Sequence, residues 1–497
     1  MIHPKICLCL TCSTIKEDLE MINKYRNWID IVELRVDFLS PDERLHIRQF
    51  PAIAGVPVIL TIRRKIDGGN FVEGEATRTI LFSRALAFAD QDVSKNFAFI
   101  DLEDDFHISG IQDAAFAFGT RIIRSFHDMK NPVSDIVAKM AGMRTTGYEI
   151  PKIACMPHSL EDVTKMFELS QLIDYEHILV AMGPLGLPSR ILAHKLGSFL
   201  TYTSPSETTG NLDTLKHLDP KTLVEMYNFR MINENTKLFG VTGAPLEVTS
   251  SPMIHNAGYR SHNIDAVYIP IRSNTAEDAI NFASKLNIQG LSVTVPHKES
   301  VIRELNQVSE QTGAIGACNT VVHAENGWNG YNTDACGLKK ALKEFTGLKN
   351  FKRKRIAIIG AGGAAKAAAY VVKELQGKCC IFNRTISKAR DLAAVYGFKY
   401  ASLSIESIDL LEDYSDIIIQ TTTVGMGSSN DLKCDLDPIY FYGFRGSEYV
   451  YDVVYEPKKT AMLQRAEKAG CHIQNGLTML KYQAYEQFKL FTGEEYE

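Results

Sequence analysis

The chain has 497 residues, of which 45% are hydrophobic and 23% charged, with a formal net charge of −5. That length suits about three globular units. Mild acidity without basic runs argues against nucleic acid and anionic membrane as partners, and no apolar run reaches the roughly 18 residues of a spanning helix. The first apolar segment, residues 6–10, already reads as a strand, so no signal or transit peptide is expected. Ten scattered cysteines fit reduced core residues and a cytoplasmic location. The one CxxC, Cys9 to Cys12, lacks a second pair to complete four zinc ligands, so it reads as structural and no metal is expected.

In the first 205 residues, apolar runs recur at 6–12, 31–39, 56–63, 97–102, 121–127, 153–156, 178–182 and 199–202, each followed by helical patterning. Eight alternating strands and helices predict a small (β/α)8 barrel, with a seven-strand doubly wound sheet as the competing arrangement. Barrel chemistry sits at the carboxyl ends of the strands, and polar residues gather there: Glu33, Arg35, Asp37, Arg63, Glu103, His127, Lys152 and Arg190. Charges facing a barrel interior are costly unless matched, so a convergent set points to a site. A lysine in such an interior loses hydration of its charged form, which favours the neutral amine, and a neutral amine attacks ketones. Lys152, opening the strand PKIACMP, is placed for this, with His127 as the base that takes a proton from the acidified neighbouring carbon. Taken singly, Lys152 is also readable as an exposed strand-end lysine and His127 as a core histidine.

Residues 206–236 are polar and weakly periodic, although 219–231 carries a helical pattern suited to closing the barrel. From Leu238 the alternation restarts with LFGVTG, AVYIPI and LSVTVP, followed by NTVVHAENGWNGY, where Asn326-Gly327 predicts a hairpin turn. In RIAIIGAGGAAKAAA an apolar strand meets Gly360, Gly362 and Gly363 and then an alanine-rich helix, the pattern of a dinucleotide site. The next strand ends in Asn383-Arg384-Thr385 where an NAD site would carry an acid, and an arginine there suits a 2′-phosphate. Strands follow near 417–419 and 449–454, and the last 40 residues are largely helical in pattern. Hydride transfer to a ketone needs a proton donor. Lys298 in VTVPHK and Asp334 in GYNTD are candidates for a donor and its orienting partner, against bland readings as a surface lysine and a cap residue.

Two resemblances tie these residues together. ELRVD at 33–37, TIRRKIDGG at 61–69, SFHDM at 125–129, PKIACMP at 151–157 and AMGPLGLPSR at 181–190 resemble type I 3-dehydroquinate dehydratase in kind and order. The resemblance implies that Lys152 forms an iminium with the C3 ketone, that His127 takes the C2 proton and helps the C1 hydroxyl leave, and that Glu33 and Arg35 hold ring hydroxyls. Arg63 and Arg190 would position the substrate, Arg190 at its carboxylate. Asp67 stands where that family has Glu, and Glu207 and Asn211 stand for the serine and glutamine of its lid.

From 238 onward, the ordered motifs GAPLEVTSSPMIHN, GLSVTVPHK, GAIGACNTV, GYNTDACG, GAGGAAKA, NRT, TTTVGMG, YDVVYEP and NGLTMLKYQA resemble shikimate dehydrogenase. The resemblance implies Lys298 and Asp334 as the catalytic pair, and Thr249, Ser251, Thr294, Asn319 and Gln483 around the substrate. Gly360, Ala361, Gly362, Gly363, Ala364 and Ala365 would cradle the pyrophosphate of NADP(H), Asn383, Arg384, Thr385 and Lys388 would take its 2′-phosphate, and Met426 and Tyr455 would lie near nicotinamide and substrate. This chain departs from the family's pattern at Val248-Thr249 for His-Ser, at Ser292 for Asn and at Gln420 for Asn; Thr249 adds a methyl that bears on the choice between shikimate and quinate. The expected organisation is a barrel over 1–230, a shikimate-binding lobe over 238–338 completed by helices at about 473–497, and a Rossmann NADP lobe over 339–472. The expected function is bifunctional: dehydration of 3-dehydroquinate, then NADPH-dependent reduction of 3-dehydroshikimate. The alternatives are a catabolic quinate or shikimate dehydrogenase pairing and a catalytically silent ligand-sensing regulator.

Overall fold

In the computed structural model, which describes residues 3–87, 90–206, 217–244, 246, 249–427 and 436–496, β-branched and apolar runs form three sheets. The first contains β1 (Lys5–Leu10), β2 (Ile31–Arg35), β3 (Val58–Thr61), β4 (Phe99–Glu103), β5 (Arg121–Asp128), β6 (Ile150–Cys155), β7 (Ile178–Ala181) and β8 (Leu200–Thr203). Its order is β7-β6-β5-β4-β3-β2-β1-β8, with parallel neighbours throughout the registered pairs. A parallel bridge between His177 and Ser198, just ahead of β7 and β8, joins the two ends of the sheet. This is the eight-stranded barrel, and the doubly wound alternative is excluded. Alternate residues, among them Cys7, Cys9, Ile31, Ile59, Phe99, Ile123, Ile150 and Ile178, fill the interior as one apolar cluster.

The second sheet has the order β10-β9-β11-β13-β14-β12, built from β9 (Lys237–Gly243), β10 (Ala266–Arg272), β11 (Ile288–Val293), β12 (Gln307–Val308), β13 (Thr320–Ala324) and β14 (Gly327–Tyr331). The third is parallel, β17-β16-β15-β18-β19-β20, from β15 (Arg355–Ile359), β16 (Lys378–Asn383), β17 (Lys399–Ser402), β18 (Ile417–Gln420), β19 (Tyr449–Asp452) and β20 (His472–Gln474). Ile356 and Ile358 pack into one apolar cluster and Ala357 and Ile359 into another on the opposite face. Burial on both faces explains the unbroken apolar runs. Two compact units divide the chain: residues 1–238 with 263–274 and 281–287, and residues 239–262, 275–280 and 288–497. No helix among the described residues is long and apolar enough to cross a membrane.

Three local expectations are corrected. The helix expected over 219–231 is Pro220–Glu225 followed by a 3-10 turn at Phe229–Met231, because Asn228 takes a left-handed conformation (φ 52°) that breaks it. The hairpin turn is Glu325-Asn326, one residue earlier than expected. Gly327 already pairs with Ala324, at φ 104°, and a Cβ there would meet Asn306 Oδ1 at 2.1 Å. Lys152 does not open β6 but is its third residue and is 4% exposed, which removes the surface reading.

Candidate active sites

At the carboxyl end of the barrel a cavity of about 60 Å³ is lined by Glu33, Arg35, Arg63, Asp67, His127, Lys152 and Arg190, so the fold gathers seven of the expected residues. Lys152 Nζ donates to Asp101 Oδ2 at 2.9 Å, lies 4.0 Å from Glu33 Oε1 and sits 4.4 Å from the centroid of the Tyr202 ring. Its desolvation is therefore offset by a carboxylate. Asp101 is fully buried, accepts from Ser125 Oγ at 2.5 Å and faces Arg63 Nη2 at 2.8 Å. Arg63 and Lys152, with the Ser125 hydrogen bond, outweigh the burial that would raise it and hold its carboxyl below the usual range. Burial, with Arg63 and Lys152 beside it, holds the basicity of His127 well below the ordinary histidine range, so its ring is neutral. His127 Nδ1 is sealed from solvent with no hydrogen-bond partner among the described residues. This places a neutral base and a buried amine in one cavity.

Arg35, Arg63, Glu33 and Asp67 are matched locally. Arg35 donates twice to Asp37, at 2.9 and 2.8 Å, and Arg63 Nη1 donates to Glu103 at 2.6 Å. Asp37 and Glu103 thus act through the arginines and do not line the cavity. Glu33 accepts from Thr61 Oγ1 at 2.8 Å, and Asp67 accepts from Arg64 Nε at 2.6 Å. Arg190 is 2% exposed, on the short helix Leu187–Ile191 that follows β7. Asn211 and Glu207 lie outside the described residues. Asp101, Tyr202 and His217 are cavity-shaping residues that sequence reasoning missed. Asp101 shares the inward face of β4 with Glu103, two residues on, so strand alternation was the signal that could have found it.

The second pocket, about 480 Å³, lies wholly within the second unit and is lined by Thr249, Ser251, Thr294, Lys298, Asn319, Asp334, Met426, Tyr455 and Gln483, along with Ala364 from the glycine-rich segment. Lys298 Nζ donates to Asp334 Oδ2, and Asn319 Nδ2 donates to Asp334 Oδ1 at 2.9 Å, to Thr333 Oγ1 at 2.9 Å and to Gln483 Oε1 at 3.0 Å. Asp334 opens the helix Thr333–Thr346, capped by Asn332, so a rigid element fixes the carboxylate. Ser250 N donates to Tyr455 Oη at 3.4 Å. Ser292, one of the departures, donates to Gln487 Oε1 at 2.8 Å. Gln420 is fully buried and donates from Nε2 to the carbonyls of Thr422 and Val424, so this departure braces the turn after β18.

The residues between β15 and the helix Gly363–Glu374 fit a pyrophosphate. Gly360 has φ 115°, and a Cβ there would meet Thr421 Oγ1 at 2.6 Å; around Gly362 the space is open. The helix has no side-chain cap, so the N–H groups of its first turn are on offer. Ala361 and Ala365 are buried, and Ala365 has only its backbone to present. Asn383 closes β16, donating from Nδ2 to Thr385 O at 2.9 Å. Arg384, Thr385 and Lys388 are exposed, and neither Arg384 nor Lys388 forms an ion pair with a described residue, which leaves both cations for an added phosphate.

A buried amine in a (β/α)8 barrel, together with a lysine–aspartate pair beside a dinucleotide-type turn, defines a two-site α/β enzyme. The family description type I 3-dehydroquinase matches residues 6–234, shikimate dehydrogenase substrate binding domain matches 241–321, and shikimate / quinate 5-dehydrogenase matches 339–426. A bifunctional 3-dehydroquinate dehydratase/shikimate dehydrogenase, chloroplastic, of Arabidopsis thaliana is 30% identical over 97% of this chain and 82% of its own length. The shikimate dehydrogenase (NADP(+)) of Pyrococcus furiosus is 39% identical over 53% of this chain and 93% of its own. A crystallised shikimate dehydrogenase in complex with NADP+ is 34% identical, with 54% and 93% coverage and a TM-score of 0.48. The chain belongs to the bifunctional 3-dehydroquinate dehydratase/shikimate dehydrogenase family.

Proposed function

We propose that the chain dehydrates 3-dehydroquinate in the barrel and reduces the product, 3-dehydroshikimate, to shikimate in the second unit. The observation that carries this reading is the presence, in one chain, of a buried amine facing a neutral imidazole and of a lysine–aspartate pair beside a phosphate-binding turn. In the barrel, Lys152 Nζ, freed of its proton, attacks the C3 carbonyl carbon and water leaves, giving an iminium. His127 takes the C2 proton. The electron pair shifts toward the iminium and then expels the C1 hydroxyl, which leaves as water with the proton from His127. Hydrolysis of the imine releases the product and restores Lys152. Asp101, 2.9 Å from Nζ, stabilises the cationic iminium through its fixed negative charge. Glu33, Arg35, Arg63, Asp67 and Arg190 orient the ring acid, with the Asn211 segment as a further contact.

In the second site NADPH, when bound, supplies the hydride. Lys298 donates a proton to the substrate oxygen, and Asp334, held by Asn319, keeps the ammonium aimed. Thr249, Ser251, Thr294, Tyr455 and Gln483 surround the cyclic acid, with Met426 on the nicotinamide side. Residues 360–365 receive the pyrophosphate, and Asn383, Arg384, Thr385 and Lys388 the 2′-phosphate. We assign 1–230 to the dehydratase, 238–338 with about 473–497 to the shikimate lobe and 339–472 to the NADP lobe. The nine described cysteines are free thiols, which supports a cytoplasmic setting. Borohydride added during turnover of 3-dehydroquinate is expected to leave a reduced adduct on Lys152. An adduct on another lysine, or none, contradicts the reading.

A further inference from the structure

The barrel cavity holds a second histidine that the two-step reading leaves without a role. His217 lies beyond the end of β8, where Leu218 bridges Thr203 and Ser204 N donates to Leu218 O at 3.1 Å, so its backbone is pinned at the carboxyl end of the barrel. The imidazole lines the cavity with Lys152, Arg35 and Arg190. Its Nδ1 is sealed from solvent and has no hydrogen-bond partner among the described residues. A buried polar atom left unmatched is costly to folding, and such atoms gather where a ligand completes them. Burial, with Arg190, Arg35 and Lys152 acting on the ring, keeps it neutral. A neutral imidazole carries one N–H, and a carboxylate drawn to these three cations can only accept from it.

We propose that His217 is a substrate-binding residue of the dehydratase, donating a ring N–H to the carboxylate that Arg190 receives. This rests on the dehydratase reading of the barrel. The donation adds a directed contact to a charge held mainly by the guanidinium, so the loss of His217 weakens binding more than it slows the chemistry at Lys152. Asparagine places an amide N–H near the position of Nδ1 and preserves the contact.

Steady-state kinetics on the full chain tests this. His217→Ala is expected to raise KM for 3-dehydroquinate at least tenfold and to change kcat less than threefold, while His217→Asn returns KM to within threefold of the parent. Circular dichroism and an unchanged dehydrogenase rate with shikimate report that both variants are folded. With an analogue of 3-dehydroquinate that carries hydrogen in place of the C1 carboxylate as inhibitor, the inhibition constants of the parent and His217→Ala converge to within twofold. A KM for His217→Ala within twofold of the parent, failure of asparagine to restore it, or a tenfold gap that persists with the analogue lacking the carboxylate overturns the proposal. A parent protein without dehydratase turnover would instead remove the reading on which it rests.

Discussion

At the residue scale, the barrel site is an arrangement of charges in which Asp101 is the hub. It is fully buried and touches Lys152, Arg63 and Ser125. Removing one partner from a buried ion network leaves charges unmatched and costs roughly 3–5 kcal/mol, far more than an exposed pair would. Asp101→Ala is therefore expected to lower the stability of the barrel unit by about that amount in denaturant unfolding; a loss below about 1 kcal/mol contradicts the role given to it. The protonation of His127 follows from the same charges. Its folded basicity is lowered, so below about pH 6.5 the unfolded chain takes up a proton that the folded site refuses. The ring thus subtracts stability as pH falls from about 6.5 toward its lowered value, and the folded protein keeps a neutral base throughout that window. Nitrogen NMR shifts of the His127 ring are expected to be those of neutral imidazole at pH 6, and a charged ring there contradicts this account.

At the element scale, close approach of backbones positions the second site. A Cβ on Gly363, the first residue of the helix Gly363–Glu374, would lie 3.0 Å from Lys298 Cβ and 3.2 Å from its Cδ. The helix start and the lysine stem therefore share one space. Gly363→Ala is expected to shift Lys298 by a few tenths of an ångström and to cut dehydrogenase kcat about tenfold. Dehydratase turnover in the same protein should be unchanged, and a dehydrogenase rate equal to the parent contradicts this packing argument. Most elements were legible because burial writes a clear pattern: all eight barrel strands and the strands at 355–359, 378–383 and 417–420 are apolar runs. The strands missed, Gln307–Val308, Lys399–Ser402 and His472–Gln474, are short edge strands with exposed residues, where little burial constrains the sequence. The site was legible where charge interrupts an apolar run, as at Lys152 and Glu33. It was hidden where the partner is one of two inward acids, as with Asp101, or lies in a polar return segment, as with His217.

At the scale of the whole molecule, two units each carry their own pocket, and the proposed chemistry joins them: the enone product of the first reaction is the ketone substrate of the second. Fusion fixes the two activities at equal stoichiometry and raises the local concentration of the intermediate. The most direct measurement gives the purified chain 3-dehydroquinate and NADPH as its only substrates and follows absorbance at the nicotinamide band alongside chromatography of the products. The expected result is shikimate formed with one NADPH oxidised for each molecule. Accumulation of 3-dehydroshikimate without NADPH oxidation, or unchanged 3-dehydroquinate, would contradict it.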